Sequence, residues 1–183
     1  MIKSLSRSVA VAIGLAVVVA ACVSSDGDDT ADAAASVTPP DTTGAAIWAH
    51  IHETNYSTDW ELWPEKGRLY PGTQPHGALL TTYLNDIAFE AFTSGAASMP
   101  AGAVVVKENY MPDSTLAAVT TMLKVPGYNA DHNDWFFTKH LAGGVLDTMP
   151  NGMDMEGRLP GCQNCHLGVG ANDYLFTGQL GGQ

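Results

Sequence analysis

The sequence predicts an α+β domain, mainly an antiparallel β-sheet with a few packed helices. Three observations carry that expectation. Strand-like runs follow one another at 102–108, 116–125 and 134–141, with prolines and glycines between them. Helical spacing is unambiguous only in short stretches around 47–60 and 86–94. Near the end stands Cys162-Gln163-Asn164-Cys165-His166, a C-x-x-C-H pentapeptide, which is the attachment signal for a c-type haem. The predicted fold therefore closes on a C-terminal haem segment.

Taken in order, Lys3 and Arg7 precede an apolar run, Val9 to Ala20, and the sequence Val19-Ala20-Ala21-Cys22. Basic start, apolar core and small residues before a cysteine describe a lipoprotein signal peptide over 1–21. The run is short of the roughly 20 apolar residues that a membrane span needs. Cleavage leaves Cys22 to carry lipid, anchored to a bacterial membrane on its periplasmic side. With Cys162 and Cys165 assigned to haem, none of the three cysteines is left over. Residues 22–45 hold five aspartates, no basic residue and almost no large apolar side chain, so they read as a disordered tether.

Residues 46–183 suit one domain. Ile47, Trp48 and Ile51 start a short helix, and Trp63-Pro64 and Tyr70-Pro71-Gly72 punctuate the loop that follows. Ala78 to Leu84 fits helix by spacing and strand by its Thr81-Thr82-Tyr83 core. Asn85 is placed to cap a helix over 86–94 that Gly95 stops. Gly102 to Glu108 is β-branched and lies between Pro100 and Pro112; Leu116 to Val125 ends at Pro126-Gly127; Asp134 to Leu141 is aromatic. Residues 143–161 read as loop around at most a short strand. Three successive strands favour an antiparallel sheet. A four-helix bundle is disfavoured because Pro126, Pro150 and Pro160 interrupt the helices it needs.

The whole chain carries a formal charge of −11. That excess of acid disfavours nucleic acid and suits a cationic redox partner such as another cytochrome c. The pentapeptide has competitors. A thioredoxin-like pair belongs at the start of a βαβ unit, and zinc needs about four ligands; neither context is present. His166 is then the proximal iron ligand. No Met, His, Lys or Cys follows it, so any sixth ligand comes from upstream. The candidates are Met149, Met153, Met155, His76, His132 and His140. A strong second ligand means electron transfer; an open face means binding or chemistry on a small molecule.

Several segments together resemble the cytochrome P-460 family. They are Tyr83-Leu84-Asn85-Asp86, the Val104-Val105-Val106-Lys107-Glu108 strand, Thr121-Met122-Leu123-Lys124, Asn133-Asp134-Trp135-Phe136-Phe137, the haem pentapeptide, and Ala171-Asn172-Asp173-Tyr174-Leu175-Phe176-Thr177. The resemblance implies a homodimer with five-coordinate haem c and an open distal pocket. It also implies that Lys107 takes the place of a lysine bonded covalently to the porphyrin in hydroxylamine-oxidising members. Related cytochromes c′-beta lack that bond and hold nitric oxide or other diatomic gases. Where the oxidising enzymes place a pocket glutamate, this chain has Thr120 or Thr121. His76 falls in the distal region as a pocket base, gas-ligand partner or iron ligand, and Phe136 is the aromatic assigned to that pocket.

Overall fold

The computed structural model describes residues 39–176, 178 and 180. The expected signal peptide, Cys22 and most of the tether lie outside these residues. The helix expected near Ile47 is α1 (Gly44–Glu53), which begins two residues inside the predicted tether, with the Thr43 hydroxyl accepting from Ala46 N. Asn55, in the left-handed region at φ 49°, separates it from the single turn α2 (Tyr56–Asp59).

The core is one seven-stranded antiparallel sheet. Its strands are β1 (Glu61–Leu62), β2 (Tyr70–Pro71), β3 (Leu79–Leu84), β4 (Val104–Tyr110), β5 (Leu116–Lys124), β6 (Trp135–Leu141) and β7 (Glu156–Gly157). Their order is β1-β3-β4-β5-β6-β7, with β2 also paired to β3. The ambiguous Ala78–Leu84 stretch is thus a strand; five of the six residues of β3 are buried, as a central position requires. Helix α3 (Asp86–Thr93) starts where Asn85 predicts. Its Oδ1 accepts from Ala88 N and also from Val104 N, while its amide donates to Gly102 O, so one side chain caps the helix and ties it to β4.

Side chains alternate across the sheet and build two cores. Tyr83, Val104, Val106, Val119, Leu123 and Phe136 face α1 and α2, packing on Ile47, Ile51 and Tyr56. Leu84, Val105, Met122 and Phe137 face the other way, toward Trp63, Leu159, Tyr174 and Leu175. Register aligns this second face across three strands: Val105 opposes Met122 and Met122 opposes Phe137, while Lys107 opposes Thr120 and Thr120 opposes Lys139. The last helix, α4 (Pro160–His166), carries the pentapeptide. Pro160 is expected to break a helix. It sits instead in the first turn, where its missing N–H has no intrahelical partner to lose.

The first face also holds a buried carboxylate. Glu108 accepts from the hydroxyls of Tyr56 at 3.0 Å, Tyr83 at 3.1 Å and Tyr110 at 2.7 Å. Burial first, then the neighbouring carboxylate, pushes the phenols up, Tyr110 to about 12. Glu108 is therefore turned away from Lys107, its sequence neighbour.

Candidate haem site

Three residues apart on a helix share one face, so α4 turns Cys162, Cys165 and His166 to a single wall. That wall closes a cavity of about 370 Å³ against the second face of the sheet. Val105, Lys107, Thr120, Met122 and Phe137 form its floor; Trp63, Pro75, His76, Met149, Met155 and Leu159 lie around it. Both cysteines are free thiols, and burial raises the Cys162 pKa.

The residues present fit a covalently attached haem. The volume is that of a small-molecule or cofactor site, its lining is mostly apolar, and two free thiols at i and i+3 stand beside a histidine. His166 is buried and its Nδ1 lies 2.6 Å from the Tyr174 carbonyl. A carbonyl only accepts, so Nδ1 carries the proton and Nε2 keeps its lone pair. Metal-bound histidines are oriented in this way. Burial, which outweighs the bond to Tyr174, lowers the His166 pKa and keeps the ring in its neutral, ligating form. Trp63 lines the same cavity with a buried Nε1–H that has no partner among the described residues. No group of three or more His, Cys, Asp or Glu side chains among those residues could hold a bare metal ion.

The carbonyl that orients His166 is itself fixed. Asp173 and Tyr174 both take left-handed backbone angles, φ 50° and 68°. The Asp173 carboxylate is bonded by Lys124 Nζ at 2.7 and 2.8 Å, Met99 N at 2.7 Å and Asn133 Nδ2 at 2.9 Å. Trp135 Nε1 donates to the Asp173 carbonyl at 2.9 Å.

Lys107 points into the cavity from β4. It forms no ion pair among the described residues, and burial lowers its pKa to about 8. Among the described residues, no Asp or Glu lines the cavity. His76 also lines it, 6.2 Å from His166 between ring centres. Burial, then the nearby Lys107, lowers the His76 pKa to about 4, so its ring is neutral.

Placement corrects several expectations. Phe136 is packed among the helices on the far face, because its neighbour Phe137 has the strand parity that meets the cavity. Thr120 and Thr121 both line the cavity as expected; Thr120 is paired with Lys107, and the Thr121 hydroxyl bonds Thr138 at 2.6 Å. His132 bonds the Tyr174 hydroxyl, His140 stacks on Trp48 and Met153 is exposed, so none of these lines the cavity. Met149 and Met155 do. Sequence reasoning missed Asn109, although strand alternation from Lys107 reaches it. It also missed the Tyr174 carbonyl, for which no side-chain pattern exists.

An antiparallel sheet that presses such a cavity against a C-x-x-C-H helix defines a c-type haem protein. A sequence model of the cytochrome P-460 family matches residues 57–177, and the chain belongs to that family. No curated protein matches it.

Proposed function

We propose that haem c, bonded to Cys162 and Cys165 and ligated by His166, serves to oxidise hydroxylamine or a similar small nitrogen compound. The observation that carries this reading is Lys107, a half-buried amine on the cavity face with no ion pair among the described residues. An amine with a pKa near 8 is neutral often enough to act as a nucleophile, which suits the porphyrin bond that family resemblance implies. When bound, haem iron supplies a site for a nitrogen donor and an acceptor for its electrons.

The chain's own residues do the rest. Tyr174 O holds His166 in the tautomer that presents Nε2. Val105, Met122 and Phe137 keep water from that face. His76 is the side chain best placed to take a proton, since Thr120 lacks a carboxylate's basicity. Electrons would leave to a cationic partner such as another cytochrome c. The signal-like N-terminus and Cys22 support a periplasmic, lipid-anchored location, and the resemblance supports a homodimer.

The absence of any acid from the lining favours a second reading, retention of nitric oxide or another diatomic gas without turnover. The ferrous absorption spectrum and a hydroxylamine oxidation assay on the purified holoprotein separate the two. Turnover with the red-shifted Soret band that the family name records supports the enzyme. An ordinary high-spin spectrum that changes with nitric oxide, without turnover, supports the gas binder.

A further inference from the structure

The loop that carries His76 is built to hold it still. Gly72 N donates to Ala78 O, His76 N to Thr73 O, and Ala78 N to Tyr110 O. The segment is pressed so closely on the end of β4 that a Cβ on Gly77 would lie 2.9 Å from Tyr110 O. The ring is then fixed by Asn109. Asn109 Nδ2 lies 3.0 Å from Lys107 O and 3.2 Å from Ala118 O, both acceptors, which settles which end of the amide is nitrogen. Its Oδ1 therefore faces His76 Nδ1, 3.1 Å away, and must accept. His76 Nδ1 carries the proton and Nε2 is left with a lone pair and no partner among the described residues.

The same arrangement exists on His166, through Tyr174 O. Two neutral histidines, each with Nδ1 tied to a protein oxygen and Nε2 free, line one cavity with ring centres 6.2 Å apart at 86°. Metal–nitrogen bonds of about 2 Å on either side of one ion place two imidazole centres about 6.4 Å apart. Phe137 and Phe176, at 5.6 and 5.1 Å from His166, stand too near to lie across an iron from it and must flank it. We propose that His76 Nε2 is the second axial ligand of the iron, opposite His166, so that the resting centre is six-coordinate. This departs from the open face that family resemblance implies.

The proposal rests on the haem site described under the proposed function and adds its regulation. A small ligand reaches the iron only when one iron–nitrogen bond, that to His76, breaks and its own forms. The released ring stays anchored through Asn109, ready to rebind.

Absorption and electron paramagnetic resonance spectra of the ferric holoprotein test this. Wild type should be low-spin; His76→Ala and the bulkier His76→Phe should be high-spin, and added imidazole should return His76→Ala to low-spin. Carbon monoxide should bind ferrous His76→Ala about tenfold more tightly if wild-type iron is free of His76 a tenth of the time. A high-spin wild type with covalent haem overturns the sixth ligand alone. A low-spin state that survives both substitutions does the same and points to Lys107, Met149 or Met155. A wild type without covalent haem overturns this proposal and the haem site beneath it. A low-spin wild type, opened by His76→Ala yet inert to hydroxylamine and nitric oxide, upholds His76 and overturns the substrate reading instead.

Discussion

Asp173→Asn is the substitution with the most to say about how the haem segment is held. The carboxylate is 3% exposed and its partner Lys124 has a side chain 11% exposed. Removing one partner of a buried pair leaves the other charged and uncompensated, at a cost of about 3–5 kcal/mol. Asparagine also sets an N–H₂ against donors from Met99, Lys124 and Asn133. For a domain of this size the loss corresponds to a fall in Tm of roughly 10–20 °C. Thermal unfolding of the holoprotein, followed by circular dichroism, reads it directly. Lys124→Met on the Asp173→Asn background should recover part of the loss, because the stranded ammonium is gone. The substitution should also loosen the Tyr174 carbonyl from His166 and move the haem midpoint potential upward, since a less tightly bonded imidazole donates less to the iron. A Tm change below about 3 °C, or under 1 kcal/mol, would refute the claim that Asp173 anchors the segment.

Other outcomes follow from the same geometry. Lys107→Leu should leave haem attached while abolishing any red-shifted ferrous Soret band; a band that persists in the variant spectrum removes Lys107 from that role. Where the Lys107 amine is free, its pKa near 8 lies below the ordinary 10.5. The unfolded chain then holds more protons between those values, so stability should rise with pH across that window. The gain is on the order of 3 kcal/mol; denaturant titrations of the haem-free protein at several pH values should show the rise in wild type and none in Lys107→Leu. Tyr56→Phe removes one of three donors to buried Glu108 and should cost about 1–3 kcal/mol, measured by the same titration. Ile51→Ala, in the core beneath α1, should cost about 2–5 kcal/mol.

Much of the fold is written in local pattern. Strand runs at 104–110, 116–124 and 135–141 are β-branched or aromatic, and Asn85 announces its helix because a short acceptor before an apolar stretch has one good use. Pro160 misled because proline breaks a helix interior but suits its first turn, and only the boundary distinguishes the two. The pentapeptide declares its chemistry because two thiols and a histidine at fixed spacing have few other purposes. Parity along β4 pairs Lys107 with Val105, yet nothing local tells which face meets the cavity; tertiary packing of α1 and α2 on the Val104 face decides it. Assigning Phe136 rather than Phe137 to the pocket is the same problem one strand further on. The partnership of His76 with His166 spans 90 residues and depends on Asn109 and on the Tyr174 carbonyl, a backbone group that no composition reveals.

Everything proposed for this protein depends on haem being bonded through α4 in the cavity that Lys107 faces. Mass spectrometry of the proteolysed holoprotein tests it most directly. Haem is expected on the peptide containing Cys162 and Cys165, joined also to the peptide containing Lys107. Unmodified Cys162 and Cys165 in haem-replete cells would contradict it.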